Sequence, residues 1–166
     1  YMAAQPGKKL LFMGNEFAQF SECDFTKELD WQLLSYDSHK KMQKYVKDLN
    51  MFYLSRSELW ENDFDWSGFE WISNDDSDQS VISFVRTDKS GKRLLIVCNF
   101  CPVKREKYSL GVPVSGIYKP VFSSDYLKYG GSGTRIRSVK SQKIPFHGRR
   151  ESISITVQPM STVFYE

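Results

Sequence analysis

The side chains best suited to covalent or metal chemistry in this sequence are its cysteines and histidines. Cys98 and Cys101 have the C-x-x-C spacing that is typical of thiol–disulfide exchange and of zinc binding. Redox motifs of this form open a helix, whereas this one closes a strand-like apolar run, and zinc needs a second pair of ligands. His39 and His147 lie far apart, and with Cys23 the cysteines form no regular disulfide pattern. We therefore predict no metal, no cofactor, and a reducing, cytoplasmic compartment.

Composition excludes several other classes of function. The 166 residues are 40% hydrophobic and 15% aromatic, which is enough to build a core and argues against disorder. The net charge is +3, and the basic residues are scattered rather than gathered into the stripe of a nucleic-acid surface. No apolar run reaches the roughly 18 residues of a membrane span. We therefore predict a globular chain with no nucleic-acid and no membrane partner.

The N-terminal third has the pattern of an α/β domain. Lys9–Met13 is an unbroken apolar run between Pro6-Gly7 and Gly14-Asn15, which predicts a strand buried on both faces. Residues 15–37 show no sustained periodicity and are predicted to form a long loop. One strand and one helix cannot cover both faces of the strand or pair both its edges. Residues 1–57 are therefore expected to be the tail of a larger domain, in a truncated chain.

A single amphipathic helix is predicted next. Asp37 or Ser38 is expected to cap its first turn, and the pattern fades near Ser55-Arg56. Apolar residues recur at three- and four-residue steps and form one face: Met42, Tyr45, Val46, Leu49, Phe52 and Tyr53.

From about Trp66 onward the hydrophobic period changes to two. Turn residues are predicted at Asn74–Asp76, and a hairpin is predicted at Asp88–Gly91. Asp75, Asp76 and Asp78 form a dense acidic group at the first of these turns and are expected to be solvated. Seven short strands at this spacing indicate an antiparallel β-sandwich, so the fold is predicted to be mainly β. The predicted strands are Phe69–Ser73, Ser80–Thr87, Lys92–Asn99, Arg105–Leu110, Ile117–Ser123, Ser152–Val157 and Ser161–Tyr165.

Several segments, in order along nearly the whole chain, resemble the 1,4-α-glucan branching enzymes of the α-amylase superfamily. The segment PGKKLLFMGNEF at 6–17 resembles the last strand of the catalytic barrel in that family, where Gly-x-Glu ends the strand. The remaining matches are ELDWQLL at 28–34, DLN at 48–50, GFEWI at 68–72, NFCPV at 99–103 and HGR at 147–149.

The resemblance implies a truncated (β/α)8 barrel, represented by its last strand, loop and helix in residues 1–57, followed by an all-β domain in residues 58–166. It implies cleavage of an α-1,4-glucan and transfer of the freed segment to a 6-hydroxyl, with the two-carboxylate chemistry of a retaining glycosidase. In that family the catalytic groups, including a His-Asp pair, lie on earlier strands. His39 is followed by Lys40 and His147 by Gly148, so the chain is expected to hold no catalytic residue and to be inactive alone.

Four residues remain as candidates for substrate binding. The resemblance places Glu16 at the end of a barrel strand, on the face where such barrels bind substrate, and Asp30 and Trp31 in the loop on that face. Trp71 begins the sandwich and is a candidate platform for glucose rings, although large aromatics more often belong to a core. The implied partners are an α-glucan (glycogen, amylose or starch) and an upstream barrel of the same protein. Two alternatives stay open: a glucan-binding or a purely structural sandwich, belonging to a debranching enzyme or an amylase.

Overall fold

Antiparallel strands make up most of the structure, which is a computed structural model describing residues 1–21 and 24–166. Cys23, and the prediction made for it, lies outside the described residues. One α-helix, α1, spans Asp37–Ser55 and precedes all the strands. The strands are β1 (Phe69–Asp76), β2 (Val81–Thr87), β3 (Arg93–Asn99), β4 (Arg105–Val112), β5 (Ile117–Tyr118), β6 (Pro120–Ser123), β7 (Val139–Lys140), β8 (Glu151–Val157) and β9 (Ser161–Tyr165).

The strands form one large and two small antiparallel sheets. The large sheet has the order β1-β2-β3-β9-β6, and the small sheets pair β4 with β8 and β5 with β7. Apolar residues at alternate positions of β2, β3 and β8 place one side of the large sheet against the β4–β8 pair. The predicted antiparallel sandwich is therefore confirmed. Its interior is built from Val85, Leu95, Val97, Leu110, Ile153, Ile155, Val157, Val163 and their neighbours.

Helix α1 covers the other side of the large sheet. Phe52 stacks on Phe122 of β6 with ring centroids 4.9 Å apart, and it meets Phe164 of β9 edge-on at 5.2 Å. The predicted helix and its apolar face are confirmed, but the predicted cap is wrong. Tyr36 occupies the N-cap position without a side-chain hydrogen bond, and the Asp37 carboxylate pairs instead with Lys41 at 2.6 Å.

The strand predicted at Lys9–Met13 is absent from the described chain. No other segment forms a ladder with these residues, and they do not lie on an edge of the large sheet, whose outer strands are β1 and β6. A strand requires a partner for its backbone groups, and an apolar run alone cannot supply one. Leu10 and Phe12 are 70% and 53% exposed, so this run has no core to join in this chain.

Three details of the β region also differ from prediction. β1 continues to Asp76 through two register irregularities, and the turn lies at residues 77–80 rather than at Asn74–Asp76. The predicted strand Ile117–Ser123 divides at Lys119, because its first half pairs with β7 and its second half with β9. The short β7 was not predicted. The hairpin at Asp88–Gly91 is confirmed by the hydrogen bond from Gly91 N to Asp88 O, at 3.1 Å.

Within residues 1–21 and 24–166, no helix combines the length and the apolar character needed to cross a bilayer.

Asp88 links the segment after α1 to the β2–β3 hairpin, and its charge should make stability depend on pH. Burial opposes its ionisation, but hydrogen bonds from the side chains of Ser57 and Ser90 and from the amides of Lys92 and Ser90 outweigh burial and lower the pKa of Asp88 from 3.8 to about 2. A lowered folded-state pKa stabilises the fold above pH 3.8, and this stabilisation is lost as the pH falls through 2.

We expect Asp88→Asn to lower the free energy of unfolding by about 1–2 kcal/mol at pH 6 and by much less at pH 2. At pH 2 the wild-type carboxyl is about half protonated in the folded chain and almost fully protonated in the unfolded chain, so most of its stabilisation is lost. Urea denaturation at both pH values measures this difference. Asp78→Asn, which changes an exposed carboxylate, is the matched control. Equal losses for Asp88→Asn at pH 6 and pH 2 would contradict the assignment.

Candidate functional site

A short 3-10 helix, Asn15–Phe17, organises the N-terminal surface. It lies between two left-handed residues, Gly14 at φ 85° and Ala18 at φ 56°, which turn the chain sharply at both ends. Phe17 is fully buried, and its carbonyl oxygen lies 2.7 Å from Nδ1 of the buried His39 on α1. Since a carbonyl can only accept, Nδ1 of His39 carries the donated proton. This bond fixes the short helix on α1.

Trp31 lies directly on this anchored segment. Its ring is 5.3 Å from that of Phe17, tilted by 32°, and the side chain remains 49% exposed. The backbone amide of Asp30 donates to Oε1 of Gln19 at 3.2 Å, and the Asp30 carboxylate accepts from Ser21 Oγ at 3.1 Å. The contacts hold an exposed indole face beside a carboxylate, an arrangement that can stack on a sugar ring and accept its hydroxyls.

Glu16 belongs to the same 3-10 helix, immediately before Phe17. It is half-buried, and its carboxylate forms no hydrogen bond or ion pair with any other described residue. We call Glu16, Phe17, Asp30 and Trp31 the group around Phe17, since Trp31 packs on the Phe17 ring and the two carboxylates precede these residues in the chain. The Asp30 carboxylate has a hydrogen-bond donor, and that of Glu16 has none among the described residues.

Trp71 belongs to a different environment. Its ring meets Phe69 edge-on at 4.9 Å and Phe84 at 5.5 Å, and 38% of the side chain is exposed. Arg149 pairs with Glu70 at 2.5 Å across the neighbouring position. Within the described part of the chain, no hydrogen bond or ring contact joins Trp71 to the group around Phe17. One part of the Trp71 ring therefore packs against the aromatic residues of the sheet and the other part is exposed to solvent. Trp71 is separate from the other three candidate residues.

The thiol of Cys98 is poorly suited to nucleophilic chemistry. Cys98 and Cys101 are both free, and Cys98 is buried, with Thr162 Oγ1 donating to its sulfur at 3.3 Å. Burial raises the pKa of Cys98, so the reactive thiolate is disfavoured at neutral pH. In residues 1–21 and 24–166, no cluster of three or more His, Cys, Asp or Glu side chains is placed to hold a metal ion.

Sequence reasoning missed Arg86, the residue that joins three segments. Its side chain is fully buried and donates to the Ala4 carbonyl at 2.9 Å, to the Gly68 carbonyl at 3.2 Å and to the Asp63 carboxylate. An arginine within the apolar strand β2 is a signal of a buried polar contact, but its partners lie 18 to 82 residues away in sequence. The N-terminal segment and the approach to β1 are thus tied to the sandwich by one guanidinium.

Comparison with known proteins assigns this architecture to a family. The description "Alpha amylase, C-terminal all-beta domain" matches residues 71–166. The "1,4-alpha-glucan branching enzyme GlgB" of Halothermothrix orenii is 49% identical over 168 aligned positions, covering 100% of this chain and 27% of that protein. The enzyme of the same name from Aquifex aeolicus is 49% identical, covering 99% of this chain and 26% of that protein.

The chain spans about a quarter of the length of the curated relatives that it matches, as the shares of 27% and 26% show. Among solved structures, a group B Streptococcus pullulanase aligns with a TM-score of 0.46 and 14% identity, over 83% of this chain and 18% of that one. On the match over residues 71–166, the chain belongs to the family of α-amylase C-terminal all-β domains, and its relatives at 44–49% identity are GlgB branching enzymes.

Proposed function

We propose that this chain is the C-terminal portion of a 1,4-α-glucan branching enzyme, which cleaves an α-1,4-glucan and transfers the segment to a 6-hydroxyl. The observation that carries the proposal is the identity of 49% over the whole chain. That match includes residues 1–70, which lie outside the all-β family match, so the N-terminal group around Phe17 belongs to the shared region as well.

We infer a boundary near residue 57, between a barrel-derived segment (residues 1–57) and the sandwich (residues 58–166). Leu10, Leu11 and Phe12 support this division, because they are exposed in a contiguous apolar run. Such patches mark surfaces that pack against something else. The rest of a (β/α)8 barrel in the same protein would bury this run and supply the strand neighbours that Lys9–Met13 requires.

The residues of this chain would bind and orient glucan rather than break its bonds. The cleavage requires a carboxylate nucleophile and a carboxylic acid on either side of the glycosidic bond. We assign both groups to the inferred barrel and assign substrate binding to Glu16, Asp30 and Trp31. The exposed Trp31 ring supplies an apolar platform, and the unpaired Glu16 carboxylate is free to accept sugar hydroxyls. We assign Trp71 a weaker contact, since only part of its ring is free.

A chimera tests the proposal. We expect the chain alone to form no α-1,6 branches, whereas the Halothermothrix orenii enzyme with its corresponding C-terminal quarter replaced by this chain should branch amylose. Iodine absorbance and chain-length analysis after debranching measure both activities. Branch formation by the chain alone, or a folded chimera without activity, would refute the proposal.

Within the active chimera, Trp31→Ala is expected to raise KM for amylose about tenfold, the equivalent of roughly 1.4 kcal/mol of lost stacking. Phe146→Ala, an exposed ring on the β7–β8 connection, serves as the control. A steady-state titration with amylose separates KM from kcat. An unchanged KM in Trp31→Ala would remove this residue from the substrate-binding group.

A further inference from the structure

A cavity of about 340 Å³ lies between the segment 134–139 and strand β8, and three of its lining residues are Lys104, Arg135 and Arg137. We propose that this cavity, called here the cationic pocket, binds a small molecule that carries two or more linked phosphate groups. The inference is independent of the proposed function, because the pocket shares no residue with the group around Phe17.

Positive charge is concentrated in the segment that forms one wall of the pocket. Residues 126–150 hold seven Lys and Arg residues and no Asp or Glu, whereas the net charge of the whole chain is only +3. The rest of the chain therefore carries a net negative charge. An anion in solution is attracted to this part of the surface before it makes any specific contact.

The two arginines of the pocket have no partner of opposite charge. Arg135 and Arg137 are exposed, and neither forms an ion pair or a side-chain hydrogen bond with another described residue. Lys104 pairs with Glu106 at 2.7 Å, but both side chains are largely exposed, and such pairs contribute little. By contrast, Lys128 and Arg149 of the same segment are paired with carboxylates. The pocket thus contains cations that are available to a ligand.

The wall that carries the arginines is anchored to the sandwich. Ile136, which separates Arg135 from Arg137, packs against the core, and so does Val139 at the start of β7. Before this wall, the Gly133 amide donates to the Asp125 carbonyl at 3.1 Å. Because the backbone is held on both sides, the two guanidinium groups start from fixed positions, which lowers the entropy lost on binding.

Neutral polar groups complete the lining. Gln158 is only 5% exposed, yet its side-chain amide forms no hydrogen bond with any described residue. A buried amide without a partner is costly, and a ligand oxygen in the pocket would supply one. Ser154 and Thr156 contribute hydroxyl groups from β8.

This chemistry favours phosphate over a sugar or a nucleic acid. The only aromatic residue of the lining, Tyr165, is 1% exposed, so neither a glucose ring nor a base finds a stacking surface. Guanidinium groups bind phosphate oxygens in pairs. One phosphate ester carries a charge of about −1.5 to −2, so two linked phosphates match three cations better than one does. The cavity is also within the range of about 300–1,000 Å³ that is usual for small-molecule sites.

Isothermal titration of the 166-residue chain with pyrophosphate, at low salt and without divalent metal ions, tests the inference. We expect Arg135→Gln and Arg137→Gln each to weaken pyrophosphate binding about tenfold, and the double variant to show no measurable binding. Inorganic phosphate should bind at least about tenfold more weakly than pyrophosphate. Since both arginines are exposed, the variants should keep the urea midpoint of the wild type.

Arg150→Gln is the matched control, because it removes an exposed arginine of the same basic segment that does not line the pocket. This variant should bind pyrophosphate as the wild type does. Absence of pyrophosphate binding by the wild-type chain would overturn the inference. An equal loss in Arg150→Gln would also overturn it, since the attraction would then be a general effect of charge. Equal affinities for phosphate and pyrophosphate would reject the requirement for linked phosphates.

Discussion

Arg86→Ala is expected to destabilise the chain by about 3–5 kcal/mol, the loss seen when one partner of a buried ion pair is removed. The guanidinium is fully buried and serves partners from three segments, Ala4, Asp63 and Gly68. Without it, a carboxylate and two carbonyl oxygens would remain in a dry environment with no donor. Urea denaturation at pH 7 measures the loss of unfolding free energy.

Two comparison variants sharpen this prediction. Arg93→Ala removes an exposed arginine from the adjacent strand β3 and should change the unfolding free energy by less than about 0.5 kcal/mol. Arg86→Lys should lie between alanine and wild type, because an ammonium cannot reproduce the planar geometry that reaches three partners at once. A loss below about 1 kcal/mol in Arg86→Ala would show that water replaces the guanidinium.

Phe84→Ala is expected to cost a similar amount, about 3–5 kcal/mol, because a fully buried ring would be replaced by a cavity. The Phe84 ring lies 5.2 Å from Phe69, 5.5 Å from Trp71 and 6.4 Å from Tyr1, measured between centroids. The loss of this ring should therefore loosen the N-terminal segment and the start of β1 together.

Tryptophan fluorescence and urea denaturation read this effect independently. The emission of Trp71 should shift to longer wavelength as its packing partner disappears, and the unfolding midpoint should fall. Phe25→Ala, at a position that is 92% exposed, should leave both signals nearly unchanged. A normal unfolding midpoint in Phe84→Ala would mean that neighbouring rings collapse into the vacated space.

The strands of the sandwich were predictable because their side chains alternate between the interior and the surface. Glu151–Val157 shows this directly, since Ile153, Ile155 and Val157 enter the core and Ser154 and Thr156 do not. The strand predicted at Lys9–Met13 did not form, for a different reason. An apolar run reports that a segment prefers burial, but a strand also needs a neighbour, and the described chain provides none.

The candidate site was predictable only in part. The resemblance to branching enzymes selected Glu16, Asp30 and Trp31 as substrate-binding residues, and this stays a prediction. The structure shows only that the Trp31 ring packs on Phe17, the residue that follows Glu16. The contacts of Arg86 could not be predicted, because its partners are brought together only by the completed fold. The exposure of Phe64 and Trp66 could not be predicted either, since large aromatic side chains more often belong to a core.

The last strand of the sequence, β9, lies inside the large sheet, between β3 and the edge strand β6. The backbone of β6 is therefore without its ladder until residues 161–165 have been synthesised, although β6 itself emerges about forty residues earlier at roughly 5–20 residues per second. During that interval β3 and β6 both expose pairing edges, which are open to association with other nascent chains. Expression yield should thus respond more strongly to changes within β9 than to changes in β1, and premature termination before Ser161 should produce aggregates rather than a smaller sandwich.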